Sequence, residues 1–252
     1  MLEKIYIARH GFRLNWVTTT WLSKTGLPRD PPLAAYGETQ ARELAEYFRS
    51  LPEKERPTAI FSSPYYRCLQ TAQPTSIALG IPIYVEHGIA EWYSPVVPGT
   101  GLHPRPGSAE SLEQYFPEID RSWSSVWYPS RKGEDVDEVH DRIDGFLQAF
   151  AVQLERKFAG KHSRILLVSH AATVIALARS LIPGTENTWG SWRPQRLADG
   201  SHLADGASRE WGFEDIEISK GKVVEDPGVP GTELTGEQDE PVGSQIQLSS
   251  NL

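Results

Sequence analysis

Ile5-Tyr6-Ile7-Ala8-Arg9-His10-Gly11 places four apolar residues directly before a cation, an imidazole and a glycine. The apolar part reads as a short buried strand, β-branched and aromatic with no polar interruption. In an open α/β sheet, ligands bind beyond the carboxyl ends of the strands, so Arg9 and His10 are delivered to a site. Gly11 lets the backbone turn sharply or approach another group closely. A histidine held there can attack phosphorus when cations surround the phosphate. The competing interpretation of the tripeptide is a core strand capped by a satisfied histidine.

A second stretch repeats the pattern. Arg164-Ile165-Leu166-Leu167-Val168-Ser169-His170 is again a buried strand ending in an imidazole, and Ala171 to Ile182 reads as the helix that follows. The N-terminus of that helix would present unpaired N–H groups and a positive dipole end to whatever His170 touches. Two further strands are expected at Thr58–Ser63 and Ile81–Val85. Helices are expected over Tyr36–Leu51, from Pro64 to Leu79, and over Glu134–Phe158, the last with a buried stripe from Val139 to Phe158. Strands alternating with helices predict a three-layer α/β/α sandwich around a mostly parallel sheet. Residues 94–133, dense in Pro, Gly, Ser and Trp, are expected as an inserted cap with a short helix near Ser111–Phe116. A late hairpin is expected around Lys220-Gly221.

Cations gather at the same sheet edge. Arg13 lies three residues past His10, in a long loop from Phe12 to Pro32. Arg67 lies in the first turn after the second strand. Glu91 is a lone acid between Ala90 and Trp92-Tyr93, a setting expected to raise its pKa and suit a proton donor. Guanidinium forks match phosphate oxygens. Phosphoryl transfer depends on positioning and cationic stabilisation more than on covalent chemistry. Trp92 and Tyr93 could stack on an aryl leaving group; packing beneath the cap is the equal alternative.

The remaining composition sets limits. Of 252 residues one is a cysteine, Cys68, which excludes an internal disulfide and fits an intracellular compartment, nuclear or cytoplasmic. No apolar run approaches the roughly 18 residues of a membrane span, and the N-terminus lacks the features of a secretory signal. A net charge of −8 argues against direct nucleic-acid binding. Six acids and no Lys or Arg fall in 225–252, which leaves 27 acids against 25 bases in 1–224. A catalytic domain is therefore expected over 1–224 and an acidic disordered tail over 225–252. A cysteine phosphatase needs Arg six residues after its Cys, where this chain has Pro74. Clustered ligands at short spacing, as zinc prefers, do not accompany His10 or His170 in the sequence.

Together these segments resemble the histidine phosphatase superfamily, also called phosphoglycerate mutase-like, in the branch whose second histidine stands in a Ser-His pair. The resemblance rests on Ala8-Arg9-His10-Gly11, Pro32 to Ala41, Ser62 to Thr71, the Glu91 segment and Val168-Ser169-His170-Ala171. It implies His10 as a phosphorylated nucleophile, Glu91 as the proton donor, and Arg9, Arg67 and His170 as the phosphate pocket, with neither metal nor cofactor. Phe12 stands where the mutases carry Glu, which places mutase activity last. Arg13 matches an extra pocket arginine of phosphotyrosine-directed members. Over Ile5 to Arg13, Ser63 to Leu69 and Gly88 to Tyr93 the chain is more closely similar to the phosphatase domain of a fungal subunit of general transcription factor IIIC and to its free-standing fungal relatives. The superfamily resemblance implies a phosphorylated small molecule or phosphoprotein as partner, and Trp92 and Tyr93 make phosphotyrosine or an aryl phosphate the preferred substrate. The closer likeness implies the alternative, the transcription factor IIIC subunits themselves, with phosphatase activity incidental.

Overall fold

The computed structural model describes residues 2–182, 192–219 and 222–232. Strands β1 (Lys4–Arg9), β2 (Ala59–Ser62), β3 (Ile83–Val85) and β4 (Arg164–Ser169) form one parallel sheet in the order β1-β4-β2-β3. Because side chains alternate along a strand, each strand feeds both faces. Ile165 and Leu167 of β4 join Phe61 and Tyr84 against α4 (Val136–Phe158) and α5 (Ala171–Leu181). Leu166 and Val168 join Ile60 and Ile83 against α1 (Ala35–Ser50) and α2 (Tyr66–Leu79). The result is the expected three-layer arrangement, with two apolar cores separated by the sheet.

Register sets the functional edge. Ile7 lies opposite Leu167, and Leu167 opposite Phe61. Strands β1, β4 and β2 therefore end within one residue of the same height. Their last hydrogen bonds run from His10 N to Ser169 O and from Ser63 N to Val168 O, both 2.9 Å. His10, Ser63 and His170 all leave the sheet at that height.

Local details depart from expectation in several places. The second helix opens at Tyr66, with Pro64 two residues outside it and Tyr65 as N-cap. α4 begins at Val136 because Asp135 and Glu138 close a reciprocal capping box. The cap carries only a four-residue helix, α3 (Ala109–Leu112). The late hairpin is two residues on each side, β5 (Ile218–Ser219) and β6 (Lys222–Val223), and its turn residues lie outside the described ones.

The segment expected to open a disordered tail instead crosses the cap. Asp226 bridges Val96, Val229 bridges Leu102, and the Thr232 hydroxyl accepts from Leu102 N at 2.7 Å. Its carbonyls and hydroxyl complete backbone groups of the cap, which its polar composition does not advertise. Residues 233–252 of the expected tail lie outside the described residues. No helix among the described residues is long and apolar enough to cross a membrane.

Candidate active site

Gly11 and Gly37 let the loop after β1 reach α1. A β-carbon on Gly11 would stand 2.6 Å from Gly37 O, and one on Gly37 would stand 2.2 Å from Phe12 O. The loop is then fixed by helix side chains: Gly11 N donates to Thr71 Oγ1 at 3.0 Å and Phe12 N to Gln40 Oε1 at 2.9 Å. This holds His10, 6 % exposed, with Nδ1 2.8 Å from Gly11 O. A carbonyl only accepts, so Nδ1 carries the proton and Nε2 keeps its lone pair.

The ring of His170 stands 5.3 Å from that of His10, inclined at 65°. His170 Nε2 lies 2.7 Å from Ser63 Oγ, and Nδ1 lies 3.2 Å from Glu91 Oε2. Arg67, fully buried, joins the remaining pieces. Its Nη1 donates to Asp30 Oδ1 at 3.1 Å and its Nη2 to Glu91 Oε2 at 2.9 Å. Arg13 approaches Glu91 Oε2 at 4.0 Å, with its guanidinium 4.4 Å from the Trp16 ring centroid. Arg9 donates to the Arg209 carbonyl and lies 5.6 Å from the same ring. Arg9, Arg13 and Arg67 each retain a buried Nε–H with no acceptor. Three strong, buried donors on neighbouring side chains lack partners, which is the condition an anion relieves.

Charge follows from these neighbours. Burial, with Arg67 and His170 alongside, holds the His10 pKa well below its usual value. Burial also lowers His170, to about 4 despite Glu91. Both rings are therefore neutral near pH 7. Burial, aided by Arg67, lowers Arg13 to about 10. Burial would push Glu91 up, but His170, Arg67 and His10 outweigh it and hold the carboxyl well below the ordinary range. The sequence-based expectation of a raised pKa for Glu91 is thus reversed. Its chain neighbours are apolar, whereas its neighbours in space are cationic. Cys68 is buried, with Sγ 3.4 Å from His170 Nε2, and its thiol is pushed up, so it is not poised as a nucleophile.

The structure gathers His10, Arg9, Arg13, Arg67, Glu91 and His170 into one cluster at the sheet edge. Trp92 points elsewhere: its indole donates to Glu134 O at 2.8 Å and packs near Trp211 and Phe213. Tyr93 lines a narrow cavity beside Glu91 together with Tyr65 and His103, and stacks on His103 at 4.6 Å. Sequence reasoning did not single out Asp30, Ser63 or Trp16. Asp30 is the sole acid between Phe12 and Pro32, which was the available signal. Ligand atoms of His10, Glu91 and His170 also lie within 4.8 Å of one another. Arg67 Nη2, 2.9 Å from Glu91 and 3.1 Å from His170 Nδ1, already occupies that space with positive charge. The donor set suits an anion rather than a cation.

A family model described as histidine phosphatase superfamily (branch 1) matches residues 5–203. The transcription factor tau 55 kDa subunit of Saccharomyces cerevisiae is 42 % identical over 185 residues, covering 72 % of this chain and 41 % of that protein. The chain thus spans about two fifths of this relative's length. Among solved structures, the ecdysone phosphate phosphatase of Bombix mori, in complex with tungstate, superposes with a TM-score of 0.58. That match covers 94 % of this chain and 97 % of the other at 17 % identity, a likeness of fold.

Proposed function

Because this chain belongs to the histidine phosphatase superfamily, branch 1, we propose that it hydrolyses phosphate monoesters through a phosphohistidine on His10. One observation carries the proposal: the Nδ1 bond of His10 to Gly11 O leaves Nε2 unprotonated with Arg67 and Arg13 alongside and Arg9 next to them. Nε2 forms the bond to phosphorus as the ester P–O bond breaks, and the leaving oxygen takes a proton from Glu91. Water then attacks phosphorus, Glu91 recovers the proton, and the N–P bond breaks. With His170, Arg67 and His10 as neighbours, the Glu91 carboxyl is held ionised near pH 7. A phosphate dianion arriving against Arg67 and His170 competes for the same positive charge and raises the Glu91 pKa, so the proton is taken up on binding. His170, steadied by Ser63, and the guanidiniums stabilise the charge on the transferring phosphoryl group. No metal takes part in these steps. Tyr65 and Tyr93, which stand with Glu91 around one narrow cleft, favour an aryl leaving group such as the tyrosine phenol of a phosphotyrosine.

The test is hydrolysis of p-nitrophenyl phosphate with and without chelator, together with rapid quench of radiolabelled substrate. An acid-labile, base-stable label on His10 and insensitivity to chelator are expected. Turnover that survives His10→Ala overturns the mechanism.

A second reading rests on the 42 % identity to the tau 55 kDa subunit: association with subunits of that transcription factor. It predicts that the His10→Ala protein still co-purifies with them. Absence of co-purification for both wild type and variant removes it.

A further inference from the structure

Arg209 adds a further cation beside the arginines of the phosphate site. Arg209 belongs to the segment that follows α5, far from the other site residues in sequence. Its guanidinium lies 5.4 Å from the Trp16 ring centroid and 5.8 Å from that of Phe12. Its backbone carbonyl accepts from Arg9. Trp16 is therefore shared by Arg9, Arg13 and Arg209. Indole faces attract guanidinium, which accounts for each contact singly. They do not account for three like charges around one ring. Arg13 has only Glu91, at 4.0 Å, and neither Arg9 nor Arg209 has a carboxylate within ion-pair distance among the described residues. Arg209 also holds φ at +57°, a backbone conformation that a β-carbon disfavours. In a chain of net charge −8, acids are available in number, yet among the described residues none pairs with Arg209.

We propose that Arg209, with Trp16 and Arg13, forms a subsite for a second negative group next to the scissile phosphate. This rests on the phosphatase reading and names its substrate class: phosphomonoesters that carry a neighbouring carboxylate or phosphate. The scissile group occupies Arg67, His170 and the buried face of Arg13. The second anion lies over the Trp16 edge against Arg209, which is exposed and can follow it. Because the contact is solvent-accessible, its contribution falls as ionic strength rises.

The test compares phosphotyrosyl peptides with glutamate or with lysine beside the phosphotyrosine, and 2-carboxyphenyl phosphate with phenyl phosphate. Wild type is expected to favour the acidic member by about fivefold or more in kcat/KM at low salt, the effect of one exposed ion pair. A preference in both pairs places the second anion on any small ester; one in the peptides alone places it on a flanking residue. Arg209→Gly keeps the left-handed turn and removes the cation, so the acidic-to-basic ratio falls toward one. Arg209→Glu inverts the sign and favours the lysine peptide. A ratio unmoved by Arg209→Glu overturns the subsite, as does an equal loss on every substrate in Arg209→Gly, which would assign Arg209 to the phosphate hollow itself. Absence of any turnover and of labelled His10 in wild type overturns the phosphatase reading and the subsite with it.

Discussion

Glu86 and Glu91 leave the same end of the sheet, separated by one turn of 3-10 helix (His87–Ile89), and burial pushes both carboxyls toward the neutral form. They end in opposite states. Glu86 is fully buried and accepts from Gly88 N at 2.7 Å, Trp123 Nε1 at 2.9 Å and Val126 N at 3.0 Å. No cation lies within ion-pair distance of it among the described residues, and burial lifts its pKa to about 7. Glu91 keeps 17 % of its side chain exposed and faces Arg67, His170 and Arg13. Neutral donors only soften desolvation, whereas nearby positive charge reverses it. One carboxylate thus ties the 123–126 loop to the sheet, and the other stays charged in the hollow.

The largest separation between the two is expected in turnover. Glu91→Gln removes the proton donor and should lower kcat by about 10²–10⁴-fold on phenyl phosphate. The loss should shrink on 2,4-dinitrophenyl phosphate, whose leaving oxygen needs no proton. Equal losses on both esters would deny Glu91 the donor role. Stability separates them next, in the other direction. Glu86→Ala strands three N–H groups and should cost about 3 kcal/mol or more in denaturant unfolding. Its effect on kcat should stay small while the protein is folded. A stable Glu86→Ala protein would mean that water replaces the carboxylate, which would break the contrast.

The pH dependence sharpens it further. The folded pKa of Glu86, about 7, exceeds the unfolded value near 4.3. Between those values the native state keeps a proton that the unfolded chain releases, so the Glu86 contribution to stability falls as pH rises through that window. Its full span is about 4 kcal/mol. His87 and His170, both lowered to about 4, act in the opposite sense: their contribution rises with pH between about 4 and 6.5. The difference between wild type and Glu86→Gln therefore isolates the carboxyl. Unfolding free energies from pH 5 to 8 should show wild type losing ground to the variant. A difference that stays flat would remove the raised pKa. Glu91 has the reverse linkage: its contribution is present above the unfolded value and is lost only as pH falls toward its depressed folded one.

What could be read from the residues follows the same division between local and distant causes. Uninterrupted apolar runs that close on a histidine are local patterns, and Ile5–His10 and Arg164–His170 display them. Asp30 gains its meaning only when the loop folds back on Tyr66 N and Arg67, and Ser63 only when β4 delivers His170 beside it. Glu91 was located, yet its charge state was misjudged, because Arg67 and His170 approach it from other segments. Asp226–Thr232 looked like solvated tail because its contribution to the cap runs largely through backbone groups.

The smallest expected effect concerns the residues after Glu91. Trp92 and Tyr93 are adjacent in the chain, and an extended backbone sends neighbours to opposite sides. Trp92 packs near Trp211 and Phe213, so Trp92→Phe should change kcat/KM for aryl phosphates by less than about twofold, with a modest loss of stability from the broken bond to Glu134 O. Tyr93 lines the cavity beside Glu91, so Tyr93→Ala should raise KM for phenyl phosphate more than for a small alkyl phosphate, by about three- to tenfold in ratio. Comparing ratios rather than absolute rates matters, because Tyr93 also stacks on His103 and its loss loosens the cap for every substrate alike. If Trp92→Phe proved the more selective of the two, the aryl group would have to lie on the Trp211 side. Glu91 would then meet its substrate from the Trp211 side rather than from the cleft lined by Tyr93.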